Sequence, residues 1–357
     1  MPDWMERIRS AVGNGGHDTM TWSAGDGALL VMPFAARILG CRVDGVEGNL
    51  FWHCPDTEDP ARTTELLKAP TAMGGDRLWI APEIAYHWPS LEAARGNQWM
   101  QAYCVPAIVD PGNYQIIESD DGHLRAEADM TLHDHRVGKS ISFRVERQFT
   151  VEPEPLPGIP AALKVVSFTI RNRLTTTGGD EGAVAGAWDI LQLPAGGGGG
   201  TIVCPTLHPI DAPHCYFDPF GDHVKTGPGV VSVRIDAQRQ FKLGLPPQSC
   251  LGRMGYYRRG ADGQCTLIVR IFGIVPGAPY VDTMRSCPDN QRTGGDCLQV
   301  YNDDGAYGEF GEMEYHDPGI VVGQHPTSRE GTSITHVLAG TQSEVEEAAQ
   351  WLLGVEI

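Results

Sequence analysis

The chain has 357 residues, 41% of them hydrophobic and 20% charged, which is the composition of a folded globular protein and excludes a disordered one. Acidic residues outnumber basic ones, 45 to 27, for a net charge of −18; a field of that sign repels phosphate backbones, so nucleic acid is not an expected partner. A length prior suggests two domains, but large β-sandwiches run longer as single units, and one domain over residues 1–357 is expected.

At the N-terminus, Trp4, Met5, Ile8 and Val12 recur at helical spacing, and Gly13, Gly15 and Gly16 end the pattern, which predicts a helix within residues 1–16. Residues 28–33 and 36–43 are apolar runs separated by a short turn and read as strands. Residues 91–102 suit a short helix weakened by Gly96. In 141–150, Ile141, Phe143, Val145 and Phe149 alternate with Ser142, Arg144 and Glu146, the period of a half-buried strand. Residues 163–171, 230–235 and 265–272 repeat that pattern. A second helix is expected at 343–353, with Ser343 and Glu346 as a capping box ahead of Ala348, Ala349, Trp351 and Leu352. Many strands and few helices indicate an all-β sandwich with short peripheral helices at both termini.

Residues 196–200 are five glycines. Thr201-Ile202-Val203 follows them instead of the Lys-Ser/Thr of a phosphate-binding loop, so a flexible loop is expected, with a mobile lid as its functional reading. Arg136, Lys139, Arg144 and Arg147 form a basic cluster, read as strand residues facing solvent. The nine cysteines are scattered without a CxxC pair, which fits reduced thiols and a cytoplasmic location. No apolar run approaches a membrane span, so a membrane is not an expected partner.

Three segments carry side chains suited to chemistry. The first is Gly74-Gly75-Asp76-Arg77-Leu78-Trp79-Ile80-Ala81-Pro82-Glu83. Arg77 offers a planar fork of donors, Trp79 a flat apolar face for sugar C–H groups, and Asp76 and Glu83 accept from hydroxyls. The plainer reading is an Arg–carboxylate pair that fixes a loop beside a core Trp79. The second is Glu312-Met313-Glu314-Tyr315-His316. On a strand, Glu312, Glu314 and His316 share one face, and repulsion between the carboxylates raises one pKa toward the range for proton transfer. The plainer reading is a solvated face opposite Met313 and Tyr315. The third is His133-Asp134-His135, with two imidazoles on one side of a strand; a metal is nevertheless not expected, nor is any cofactor. His87, four residues after Glu83 and beside Trp88, is a candidate for the pocket wall, as are the loop histidines His208 and His214. No nucleophile elbow is present.

With those residues in view, the chain resembles the galactose-mutarotase-like (aldose 1-epimerase-like) superfamily, in a branch with a Gly-Gly-x-x-x-Trp-x-Ala-Pro motif. Gly74, Gly75, Trp79, Ala81 and Pro82 carry that motif; residues 33–38, Lys242-Leu243-Gly244 and Glu312-Met313-Glu314 carry the rest of the likeness. The resemblance implies a β-supersandwich and chemistry at a sugar's anomeric centre. Glu314 would be the general base, Glu312 or His87 the acid, and Asp76, Arg77, Trp79, Glu83, Trp188 and His316 the groups that hold the sugar. The family's acid-bearing histidine has no counterpart in residues 186–194, so the proton must come from another group. Two further readings fit the same scaffold: a polysaccharide or uronate lyase or hydrolase, and a carbohydrate-binding protein without turnover. The partner implied is a mono- or oligosaccharide, and for the chain itself a second copy in a homodimer.

Overall fold

The computed structural model describes residues 3–68, 72–152, 156–260 and 263–357. Two large antiparallel sheets, each of ten strands, lie against one another. In spatial order the first sheet runs Met20–Ala24, Gly27–Met32, Arg37–Val43, Asp76–Ala81, Val184–Pro194, Phe310–His316, Leu298–Asn302, Phe241–Leu245 and His214–Phe217, with Ile320–Val321 also paired to Val184–Pro194. The second is built on the long strands His123–Asp134, Lys139–Val151, Lys164–Gly179 and Ser328–Gly340.

The core follows from alternation. Leu191 and Leu193, Met313 and Tyr315, Val300 and Leu243 point from the first sheet onto Phe149, Val166, Phe168 and Ile170 of the second. Their odd–even neighbours in the first sheet therefore point outward, away from the second sheet. That outer face is covered in its turn. The helix Glu83–Tyr86, the helix Leu91–Arg95 and residues 96–114 lie over it, and every residue of Phe310–His316 is buried. The charged face of that strand does lie opposite the sandwich core, as expected, but it is roofed and not solvated.

The terminal helices are Trp4–Asn14 and Gln342–Leu353. Asp3 caps the first, and Trp4, Met5, Ile8 and Val12 bury against Ala28, Leu30 and Met32. The capping box of the second is Thr341 with Glu344, two residues ahead of Ser343 and Glu346. Trp351 is 63% exposed, while Val345, Ala348, Ala349 and Leu352 face the second sheet. The short helix at 91 stops at Arg95, where Gly96 leaves the helical conformation.

The basic cluster at 136–147 is not a solvent-facing set. Arg144 is exposed, but Arg147 is fully buried between the sheets and Arg136 is buried on Asp134. Arg147 and Arg270 from the second sheet meet Asp76 and Asp189 from the first. Asn172 donates to Asp189 at 2.9 Å, and Thr335 accepts from Arg270 at 3.0 Å. Two guanidinium groups and two carboxylates thus close on one another at zero exposure.

Candidate functional site

Register decides which side chains meet on the outer face. Trp79 pairs across from Trp188, and Glu312 from Gln192 on one side and Tyr301 on the other. Tyr301 pairs with Lys242, and Lys242 with Phe217. Arg77, Trp79, Trp188, Gln192, Glu312, Glu314, Tyr301, Lys242 and Phe217 therefore stand on one surface, spread over six neighbouring strands. With Trp52 from below and Glu83, Trp99, Tyr103 and Asp110 from the roof, they line a cavity of about 530 Å³. That volume lies in the range of small-molecule sites.

The polar groups in the cavity are tied in two sets. In the first, Glu312 Oε1 accepts from Arg77 Nη2 and from Gln192 Nε2, both at 2.9 Å. The Arg77 guanidinium lies 4.2 Å from the Trp79 ring centroid, and Trp79 Nε1 donates to Asp110 at 2.9 Å. Asp110 is itself clamped by both oxygens onto Arg37, at 2.8 and 2.7 Å. In the second set, Lys242 Nζ stands 3.0 Å from Glu314 Oε2 and 3.5 Å from Glu83 Oε2. Trp188 Nε1 donates to the same Glu314 oxygen at 2.6 Å, and Lys242 sits 4.1 Å from the Trp188 ring centroid. Tyr103 donates its hydroxyl to Glu83 Oε1 at 3.0 Å, and His87 Nδ1 meets that hydroxyl at 2.9 Å. Asp282, buried behind, accepts the Glu83 backbone N–H at 2.7 Å.

Burial sets the protonation of this second set. It pushes the Glu314 carboxyl up to about 8, with Lys242 opposing and Glu312 adding to the rise. Burial also raises Glu83, against the pull of Lys242. Burial works against the Lys242 ammonium, yet Glu314, Glu83 and Asp282 hold its pKa above the ordinary value. One ammonium balances one carboxylate, so near neutrality Glu314 and Glu83 share a proton as a pair. Glu314 Oε1 takes no hydrogen bond from the described residues.

The structure brings Arg77, Trp79, Glu83, Trp188, Glu312 and Glu314 into one cavity. Arg77 and Glu314 share its floor and do not face each other from opposite walls; the partner of Arg77 is Glu312. Three candidates lie outside the lining. Asp76 alternates with Arg77 and so points between the sheets, onto Arg147 and Arg270. His316 is on the right face, but Trp188 pairs directly across from it, and the two rings stack at 5.5 Å and 18°. His87 is fully buried behind Tyr103, and burial lowers its pKa to about 3, which keeps it neutral. It reaches the cavity through residues that line it, bonding the Tyr103 hydroxyl and packing its ring against Trp79 and Trp188.

Elsewhere, the His133 and His135 rings stand edge to face at 5.2 Å, with His133 bonded to Ser140. Among the described residues no group of three or more His, Cys, Asp or Glu is placed to hold a metal. None of Gly196 to Gly200 lines the cavity, and their tract runs directly into the strand Gly200–Pro205. No helix among the described residues is long and apolar enough to cross a membrane.

Lys242, Tyr103, Asp110 and Gln192 were not singled out from the sequence as site residues. Lys242 had a usable signal: a lone cation in the otherwise apolar strand Phe241–Leu245, buried at every position. Tyr103 and Asp110 lie in irregular chain, where periodicity says nothing about direction.

Among solved structures, an aldose 1-epimerase candidate from Escherichia coli K12 matches at 13% identity and a TM-score of 0.50, over 90% of this chain and 99% of its own. A galactose mutarotase-like protein from Lactobacillus casei matches at 6% identity and a TM-score of 0.47, over 89% of this chain and 99% of its own. An aldose epimerase homologue from C. elegans matches at 8% identity and 0.45, over 90% and 98%. At such identities the first of these establishes the fold, a galactose-mutarotase-like β-sandwich, and no more. None of the curated proteins matches the chain. A family model does match it, over residues 19–357, and the chain belongs to that family, a family of unknown function designated DUF6786.

Proposed function

We propose that the cavity binds a reducing sugar and catalyses exchange between its anomers by proton transfer at C1. The observation that carries this reading is Lys242 shared by two carboxyl groups, the buried Glu314 and the half-buried Glu83, inside a cavity walled by tryptophans. Aromatic faces receive the C–H faces of a pyranose, and Arg77, Gln192 and Glu312 offer donors and acceptors to its hydroxyls.

The reaction needs one proton removed from the anomeric hydroxyl and one delivered to the ring oxygen. The C1–O5 bond breaks as C1=O1 forms; rotation about C1–C2 and the reverse transfer close the other anomer. A pair sharing one proton supplies both roles without a histidine. Glu314, the protonated member, donates to the ring oxygen, and Glu83, ionised beside Lys242, takes the hydroxyl proton. The resemblance alone gave Glu314 the base's role; its raised pKa favours the acid's. The uronate-lyase reading has less support, because the lining cations Arg77, Lys242 and Lys68 already face the carboxylates Glu312, Glu314 and Glu65.

The test is polarimetry on freshly dissolved aldoses of the gluco, galacto, manno and xylo series. Equilibration should be faster with the protein and should slow on the alkaline side of about pH 8, as Glu314 loses its proton. Glu314→Gln should lower the rate by roughly 10²–10⁴-fold. Decay at the spontaneous rate for every sugar, with the wild-type protein, would remove the proposal.

A further inference from the structure

We propose that the sugar taken by this cavity is the reducing end of an oligosaccharide, whose remaining residues lie along an aromatic arc at the far end from Glu314; this rests on the saccharide reading above. The arc is continuous. Trp52 stands 4.5 Å from Phe310, Phe310 5.9 Å from Tyr301, Tyr301 6.2 Å from Phe217, and Phe217 5.0 Å from Trp99. All five rings line the cavity. Their planes are inclined to one another by 41° to 58°, so none covers its neighbour's face. Trp99 carries the Arg285 guanidinium at 3.7 Å on one face.

The arc runs from Tyr301 and Phe217, register neighbours of Lys242, out to Phe310 and Trp52, and that outer end is distant from the proton-transfer groups. Glu314, Glu312 and Phe310 lie on one face of one strand, and four residues of strand put Phe310 about 13 Å from Glu314. That is more than one pyranose ring spans. A monosaccharide held against Glu314 and Glu83 therefore leaves the Phe310–Trp52 end of the arc unused, whereas a chain of sugars extends along it.

The far end is also built. Asp303 Oδ2 accepts the backbone N–H groups of Gly305, Tyr307 and Gly308, at 2.8, 3.2 and 3.3 Å. These bonds fix a loop that presents Tyr307, 55% exposed, at the mouth. Gly308 lets the loop close on Trp52, since a Cβ there would come within 2.4 Å of the indole. Polar atoms accompany the rings: Gln240 Nε2 donates to the Tyr301 hydroxyl at 2.8 Å, which donates to Asp303 at 2.7 Å. Tilted aromatic faces interleaved with amide and hydroxyl groups suit a sugar, with apolar faces and polar edges, better than a wholly apolar group.

The experiment is calorimetric titration of the full chain with matched ligands: glucose against cellobiose, cellotriose and lactose, galactose against galactobiose, xylose against xylobiose, mannose against mannobiose, and 4-O-octyl ethers of the four monosaccharides. In at least one series the disaccharide should bind roughly tenfold or more tightly than its reducing-end monosaccharide. Tyr307→Ala and Phe217→Ala should each reduce that ratio several-fold; Tyr307 is exposed enough for its removal to leave the fold intact. Equal affinities for mono- and disaccharide in every series that binds would overturn the inference while the saccharide reading stands. 4-O-octyl ethers that match the disaccharides would also overturn it, because the arc would then be reading apolar surface. If no sugar binds or equilibrates, the saccharide reading falls and the inference with it.

Discussion

Two buried charge clusters occupy the two faces of the same strands. Asp76 is next to Arg77 in sequence, Asp189 next to Trp188, and Tyr315 next to Glu314, yet alternation sends the first of each pair between the sheets and the second into the cavity. The inner cluster is closed. Each oxygen of Asp76 and Asp189 takes a guanidinium bond, and the charges balance two against two. Burial alone would raise the Asp189 pKa, but Arg147 and Arg270 hold it below the usual range; at Asp76 burial, with Asp189 adding to it, outweighs the same two cations and lifts the carboxyl to about 7. The cavity cluster is open: Lys242 is split between two carboxyl groups, and Glu314 Oε1 has no partner among the described residues. Burial of charge is common to both, so burial by itself does not mark a site. What separates them is whether the acceptors are used up.

The largest effect expected from this difference is on stability. Asp189→Ala strands Arg147 and Arg270 in the core and should cost about 3–5 kcal/mol in a denaturant titration. Glu312→Gln, on the cavity side, keeps an acceptor for Arg77 and Gln192 and should cost about 1 kcal/mol. Equal costs would break the comparison, since both clusters would then be scaffold.

A smaller effect concerns pH. His316 has a folded pKa lowered to about 4 by burial, against an ordinary 6.5. Above pH 6.5 it is neutral in both states. Below that the unfolded chain takes a proton that the folded one refuses, so stability is lost between about pH 6.5 and 4, by about 3 kcal/mol. Glu314 works in the opposite sense: with a folded value of about 8 it retains a proton that the unfolded chain releases, so its contribution is lost as pH rises from about 4.5 to 8. His316→Phe keeps a ring against Trp188, removes two buried nitrogens that lack partners, and should lessen only the slope of the acid limb of stability against pH, to which His87 and His336 also contribute. Glu314→Gln should lessen only the slope from 4.5 to 8, where Asp76 and Asp317, raised by burial to about 7 and about 8, keep their share. A His316→Phe curve with the wild-type acid slope would show that the imidazole is protonated within the fold.

The fold was largely legible because it rests on period two. The alternation in 141–150 and the apolar runs at 230–235 and 265–272 fall within strands of the structure, and the same period put Glu312 and Glu314 on one face. The site was legible only where it lies on strands. Asp76 was misassigned because proximity in sequence to Arg77 was read as proximity in space, which a strand forbids. Arg147 was taken as solvent-facing because nothing local shows that a strand's second face meets another sheet. Tyr103, Trp99 and Asp110 reach the cavity along irregular chain whose path is set by tertiary packing, and their roles had no local signature.

The smallest effect expected is at Tyr103, and it decides to which cluster the His87–Tyr103–Glu83 chain belongs. The hydroxyl donates to Glu83 Oε1 and meets His87 Nδ1, so Tyr103→Phe removes one donor from Glu83 and leaves the ring in place. Stability should fall by about 1 kcal/mol. A hydrogen bond to the ionised form lowers a carboxyl's pKa, as Tyr103 does for Glu83, so its loss should raise that pKa further. If Glu83 is the base, the acid-side limb of the anomerisation rate then moves to higher pH, while the alkaline limb set by Glu314 stays. A loss of stability with an unmoved acid limb would make Tyr103 and His87 supports of the roof, closed in the same sense as Asp76 and Asp189. A moved limb would make them positioning residues for proton transfer, acting on the sugar only through Glu83.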